Sequence, residues 1–192
     1  MTIEKTKATD VVSSGLTCNT KAGEAAQATG VYRVECRDKD GKLKWTAESK
    51  NLVVNVGLQY MAGSALTSTT QITTWYLGLY GAGASNTPAA GDTMASHAGW
   101  TEVTAYSNAN RVTASLTAST NANPSVVTNT ASPAVFNING TATVGGAFLT
   151  SENTKGGTTG TLFSAADFGS PGDRSVVNSD TLSVTYTFSL AA

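Results

Sequence analysis

The segment GDTMASHAGWTEV, residues 91–103, holds the only histidine of the chain, His97, with Asp92, Ser96, Trp100 and Glu102 around it. These are the residue types of nucleophilic and acid–base catalysis: a hydroxyl to attack, an imidazole to take its proton, a carboxylate to orient the imidazole. The spacing works against that chemistry. Ser96 is the immediate neighbour of His97, so the two side chains tend to diverge, and no Gly-x-Ser-x-Gly elbow occurs anywhere. One histidine cannot supply a histidine-based metal site. Asp92 and Glu102 keep a formal capacity for proton transfer, since separation along a loop says little about distance in space. The segment reads as a loop with His97 as a packing or contact residue, and no catalytic residue is assigned.

Other chemistry-bearing patterns end the same way. YGAGASN (residues 80–86) begins like a dinucleotide fingerprint, but Asn86 stands at the third glycine and Pro88 follows, with no helical pattern after it. KGGTTG (155–160) has the wrong order for a phosphate-binding loop and reads as a hairpin turn. Asp38, Asp40 and Gly41 fit positions three, five and six of a calcium loop, but Cys36 and Ala47 then fall at positions one and twelve, so the turn reading wins. Cys18 and Cys36 lack the neighbours that zinc needs and are expected to be reduced thiols. Trp45, Trp75 and Trp100 could form a sugar-stacking platform, but are more simply core anchors. Neither a cofactor nor a metal is expected.

Composition narrows the class. Of 192 residues, 40% are hydrophobic and only 13% charged, and Thr, Ser, Asn, Ala and Gly replace the missing charge, a mixture that suits strands and turns. A formal net charge of −1 gives no basic excess with which to neutralise phosphates, so nucleic acid is not an expected partner. The opening residues MTIEKTKATDVVSSG lack the apolar region of a secretory signal, and no run is long enough to span a bilayer, so no membrane contact is expected.

The elements that must carry these residues are mostly strands. Residues 1–28 lack periodicity and read as an N-terminal arm, either disordered or ordered against a neighbouring subunit. In residues 31–48, alternation of Tyr32, Val34 and Cys36 with Val31, Arg33 and Glu35, then a DKDG turn, then alternation of Leu43, Trp45 and Ala47 with lysines, predicts a β-hairpin with one charged face. The spacing of Leu58, Met61, Ala62 and Ala65 predicts one short amphipathic helix over about 56–66. Strands are predicted over 71–80 and near 101–106, 111–118, 125–129, 133–139, 141–150, 159–163 and 175–178. The clearest is DTLSVTYTFSL (180–190), in which Leu182, Val184, Tyr186, Phe188 and Leu190 alternate with Ser and Thr. Short strands between Gly, Asn and Pro turns predict one mainly β domain over 29–192, an antiparallel sandwich of jelly-roll-like or Ig-like form.

The segments KLKWTAESKNLVVNVGLQYMA, TTWYLGLYGAG, AAGDTMASHAGWTEVTAYSNANR, AVFNINGTATVGGAFLT and GGTTGTLFSAADF, with DRSVVNSDTLSVTYTF near the end, resemble a family of tailed-bacteriophage virion structural proteins. The resemblance spans roughly residues 31–190 and leaves the arm outside. It implies a non-enzymatic protein made in the bacterial host cytoplasm and carried on the capsid exterior, where it binds the major capsid protein as a decoration (cement) protein. It brings no catalytic residues. Self-association is expected, as a homotrimer ahead of a homodimer. The alternatives are a tail or fibre component and a receptor- or glycan-binding module on the virion surface.

Overall fold

The structure is a computed structural model that describes residues 26–81, 87–169 and 172–192. In chain order the elements are β1 (Gln27–Arg37), β2 (Leu43–Lys50), β3 (Leu52–Val53), α1 (Asn55–Leu66), β4 (Tyr76–Gly81), β5 (Thr101–Glu102) and β6 (Val112–Thr113). There follow β7 (Ser125–Thr128), β8 (Ala134–Asn137), β9 (Ala142–Val144), β10 (Gly146–Thr150), β11 (Leu162–Asp167), β12 (Arg174–Val176) and β13 (Thr181–Ala191). All the strand pairings are antiparallel. Among the described residues the fold is mainly β with one helix, as the alternation predicted.

The first sheet runs β2-β1-β13-β7, with β8 also on β13; the second runs β3-β11-β10-β4-β5, with β6 on β4. Their inner faces meet in the main core. The register sets Tyr32, Val34 and Cys36 of β1 opposite Tyr186, Val184 and Leu182 of β13, and all six side chains are buried. Leu77 and Leu79 of β4, with Ala147 and Leu149 of β10, close the core from the second sheet. A polar chain stitches the sheets together through this apolar layer. The Tyr32 hydroxyl lies 2.8 Å from Ser164 Oγ, and Asn51 Nδ2 donates to the Tyr186 hydroxyl at 2.9 Å. The Tyr32 and Tyr186 rings are 4.5 Å apart.

The predicted hairpin forms. Asp38 makes its turn by accepting from the backbone N–H groups of Asp40 and Lys42 at 3.0 and 2.9 Å, which occupies its carboxylate with the chain itself. β1 starts at Gln27, opposite Ala191, so the sheet takes in the last two residues assigned to the arm. Residues 1–25 of that arm lie outside the described residues.

Several strands are shorter than their patterns suggested. The segment 71–80 is extended in the sheet only from Tyr76, and 101–106 and 111–118 contribute two residues each. The segment 141–150 divides in two, because β9 pairs with β12 while β10 pairs with β4 and β11, and the chain passes between sheets at Gly145. Side chains replace strand backbone in the gaps. Asn129 Nδ2 donates to Val184 O and its Oδ1 accepts from Tyr186 N at 2.6 Å, filling the space between β7 and β8 along β13. Asn108 does the same on β8, bonding Val135 O and Asn137 N, and Asn123 bonds both polar atoms of the Ala192 backbone. A primary amide carries one donor and one acceptor site in the geometry of a peptide, so each Asn closes a ladder or covers an edge as one more strand residue would.

The helix forms at the predicted place but presents a different face. Gly57 is its buried residue, with Val56, Tyr60 and Met61 half-buried, while Leu58 is 46% exposed and Ala62 and Ala65 face water. The cause is close approach. A Cβ on Gly57 would sit 2.2 Å from the carbonyl oxygen of Phe163, so the helix lies on β11 at a position without a side chain. Among the described residues no helix is long and apolar enough to cross a membrane.

Candidate functional site

The outer face of the second sheet is also buried, and the His97 segment is what buries it. Across β4 and β10 the register pairs Gly78 with Phe148 and Tyr80 with Gly146. Each ring takes the space over the opposite glycine: a Cβ on Gly78 would lie 2.2 Å from Phe148 and one on Gly146 would lie 2.1 Å from Tyr80. The flattened aromatic layer, with Val54, Leu162 and Ala165, is covered by Met94 and Trp100 to form a second core. Trp100 stands 5.0 Å from Tyr80 and 5.3 Å from Phe148, centroid to centroid.

Within that cover every predicted chemical group has a structural task. Asp92 is buried, and its Oδ2 accepts from Trp100 Nε1 at 3.0 Å and from the N–H of Ala89 at 2.9 Å. The carboxylate therefore orients the tryptophan and not the histidine. Ser96 closes a tight turn, its N–H donating to Thr93 Oγ1 at 3.0 Å. His97 stacks on Trp100 with ring centroids 3.7 Å apart and planes 20° from parallel. Its Nδ1 lies 2.9 Å from Trp100 O, and because a carbonyl only accepts, Nδ1 carries the proton. Hydroxyl, imidazole and carboxylate do not converge.

Glu102 belongs to a different cluster. Arg111, buried, grips it through two bonds, Nε to Oε1 at 3.0 Å and Nη2 to Oε2 at 2.7 Å. The same guanidinium donates to Glu152 O and Gly157 O, and Gly156 N donates to Glu102 Oε2 at 2.9 Å. Lys155 reaches the carbonyls of Tyr106 and Asn108, both at 2.8 Å, across the Tyr106 ring. Acid–base work by Glu102 is thereby replaced by bracing: the KGGTTG turn, which does join β10 to β11, is tied to β5 and to residues 106–111. Sequence reasoning passed over Arg111, whose signal was its isolation as one of only three cations beyond residue 50.

A third cluster centres on Asp180. Its buried carboxylate accepts from Lys44 Nζ and from Val177 N, and Cys36 Sγ lies 3.9 Å away. Burial, and then the neighbouring Asp180 charge, push the Cys36 thiol up to about 11, so it stays protonated and inert at neutral pH. Cys18 and residues 82–86 of the YGAGASN segment lie outside the described residues.

The three tryptophans are not brought together. Trp45 packs on Phe168 at 6.2 Å, Trp75 sits between Tyr60 and Phe163 at 5.3 Å from each, and Trp100 lies under His97. A shared stacking platform is not formed, and each serves as an anchor. Among the described residues no group of His, Cys, Asp and Glu could hold a metal ion.

Among the described residues, one surface open to a partner is the outer face of the first sheet. Register sets Glu48, Arg33 and Thr185 in one row across β2, β1 and β13, and Thr46, Glu35 and Ser183 in the next, with Val135 of β8 beyond. Arg33 and Arg37 both pair with Glu35, at 3.2 and 3.3 Å, on a solvated surface. Comparison with protein-family models, curated proteins and solved structures finds no match for the chain.

Proposed function

We propose that this chain is a non-enzymatic structural protein of a tailed-bacteriophage virion that binds the outside of the major capsid shell and stabilises the head as a decoration protein. The observation that carries the reading is the outer face of the first sheet. There β2, β1 and β13 set rows of Thr, Ser, Arg and Glu side by side on one solvated surface. The phage assignment itself rests on the resemblance of the segments quoted above. Each hydroxyl or charge on such a face contributes about 1 kcal/mol when bonded. Repetition over many symmetry-related copies makes modest contacts sufficient.

Labelling the protein on intact particles tests the location. Signal covering the head is the expected result; signal confined to the tail overturns the capsid reading in favour of a tail or fibre component. Cell attachment that requires a glycan and this protein would favour a receptor-binding module instead. An Arg33→Glu, Thr185→Glu variant should keep its thermal midpoint and lose occupancy on particles. Full occupancy by that variant would remove the face from the proposal.

A further inference from the structure

The two neighbours of β1 cover different lengths of it. β13 pairs with the whole strand, starting with Gln27 opposite Ala191, whereas the pairing with β2 reaches only to Val31, opposite Lys50. After Lys50 the chain leaves the first sheet, because Leu52 and Val53 form β3 on β11 of the second. One edge of β1 is therefore bare over residues 27–29. A notch of about 340 Å³ runs along it, lined by residues 27–31 with Lys50 and Asn51. Asn51 N donates to Gly30 O at 2.8 Å, so the Gly30 backbone turns toward this side, and by alternation so does that of Ala28. Among the described residues the N–H and C=O of Ala28 on that side have no partner.

Elsewhere the first sheet closes its gaps with asparagine amides, but the amide beside this edge is committed inward. Asn51 Nδ2 donates to the Tyr186 hydroxyl at 2.9 Å, and Asn51 Oδ1 is buried without a hydrogen-bond partner. A bare strand edge is a template for one more strand. The far side of β13 shows how the space is used: β7 and β8 lie end to end along it, opposite residues 187–190 and 181–184. The notch leaves room for a strand in line with β2 in the same way.

The path of the chain selects the occupant. Residues 1–25 enter β1 at this notch, since the described chain begins at Ala26. A segment tethered so closely meets the edge at an effective concentration of order mM, which a separate molecule does not have. Its last part reads Cys18-Asn19-Thr20-Lys21, then Ala22-Gly23-Glu24-Ala25. The first four residues include no proline to interrupt a ladder, and Gly23 suits a four-residue turn. We propose that residues 18–21 fold back on their own chain as a short edge strand, antiparallel to residues 26–29 and with Asn19 opposite Ala28. Asn19 N–H then donates to Ala28 O, and Ala28 N–H donates to Asn19 O. Nothing in this pairing depends on the virion reading.

Amide hydrogen exchange of the full chain, read residue by residue by NMR, tests it. The Ala28 N–H is expected to exchange at least about a hundredfold more slowly than an unprotected amide, at a rate independent of protein concentration. Asn19→Pro removes one of the two bonds and should release the Ala28 amide, whereas Thr6→Pro should leave it protected. Val31, whose N–H faces β13, should stay protected in both variants and so confirm that the fold is intact. An Ala28 amide that exchanges freely in the wild-type chain overturns the proposal, as does protection that survives Asn19→Pro. Protection that fades on dilution also overturns it, and assigns the edge to a segment of another copy.

Discussion

β4 is buried on both faces, but the two faces are buried by different means. Toward the first sheet, Leu77 and Leu79 meet side chains that alternate along long strands, and the pairing register places each of them. Away from it, Tyr80 and the neighbouring Phe148 meet Met94 and Trp100, which arrive on a segment with almost no regular structure. The first core is redundant, because many contacts of one type share the load. The second depends on few groups: two glycines that admit two rings, one indole laid over them, and one carboxylate that fixes the indole. A core of the second kind should be as costly to damage at single points, and should open more locally.

The sharpest test is Trp100→Ala. Loss of a buried indole is expected to cost about 3–5 kcal/mol, comparable to Phe136→Ala in the main core. Hydrogen exchange separates the two. Trp100→Ala should deprotect amides in residues 89–100 and α1 while the β1–β13 ladder keeps its protection. Equal deprotection of both regions would mean that the two cores are one cooperative unit.

Arg111 sits where the regions join, with its guanidinium 5.3 Å from the Phe148 ring centroid and bonded to Glu102. Arg111→Met leaves a buried carboxylate without its partner and should cost about 3–5 kcal/mol. Replacing Glu102 by Gln in the same chain should recover part of that loss. Chemical denaturation of the single and double variants measures the coupling.

Alkaline pH loads mainly the first core. Cys36 is raised from 9.0 to about 11, and burial also raises Tyr32 and Tyr186 above their ordinary value of 10.0. In each case the folded chain holds its proton more tightly than the unfolded one. The stabilisation is complete below the unfolded pKa and is lost as pH rises through the folded pKa. Stability should therefore decline from about pH 9 upward, by about 1.4 kcal/mol per pH unit for each proton involved. Cys36→Ala should flatten the part of the curve between pH 9 and 11.

Smaller effects probe the glycine–ring pairs and the histidine. Gly78→Ala forces a methyl against Phe148 and should cost about 1–3 kcal/mol, whereas Gly91→Ala, where a Cβ meets nothing within 4 Å, should fall within about 0.5 kcal/mol of wild type. His97→Ala should cost about 1 kcal/mol, the worth of one stacked pair. A larger loss would show that His97 does more than cover Trp100.

The same contrast explains what could be read in advance. Period-two alternation in β1, β2 and β13 is a local signal that follows from the pleat, so the hairpin, the final strand and the inner face were visible in the residues. The second core leaves no periodic trace, since Met94 and Trp100 earn their burial from partners far away in sequence. The stripe of Leu58, Met61, Ala62 and Ala65 correctly indicated a helix and misled about its orientation. Periodicity reports an apolar face, but Gly57, the residue that fits against the Phe163 carbonyl, does not stand out in a hydrophobic pattern. The Arg111–Glu102 pair was invisible for a similar reason, as eight residues of irregular chain separate its members.

The asparagine amides that complete the ladders also give the fold a chemical clock. Hydrolysis of Asn129 to aspartate would replace the N–H that faces Val184 O with an oxygen, turning attraction into repulsion inside the sheet. Such hydrolysis begins with attack by the next backbone nitrogen, and the residues after Asn108, Asn123 and Asn129 are Ala109, Pro124 and Thr130, each of which hinders it. Asn139 is followed by Gly140, which does not. Slow ageing of this protein should thus register first at the turn before β9 and leave the sheet-closing amides until last.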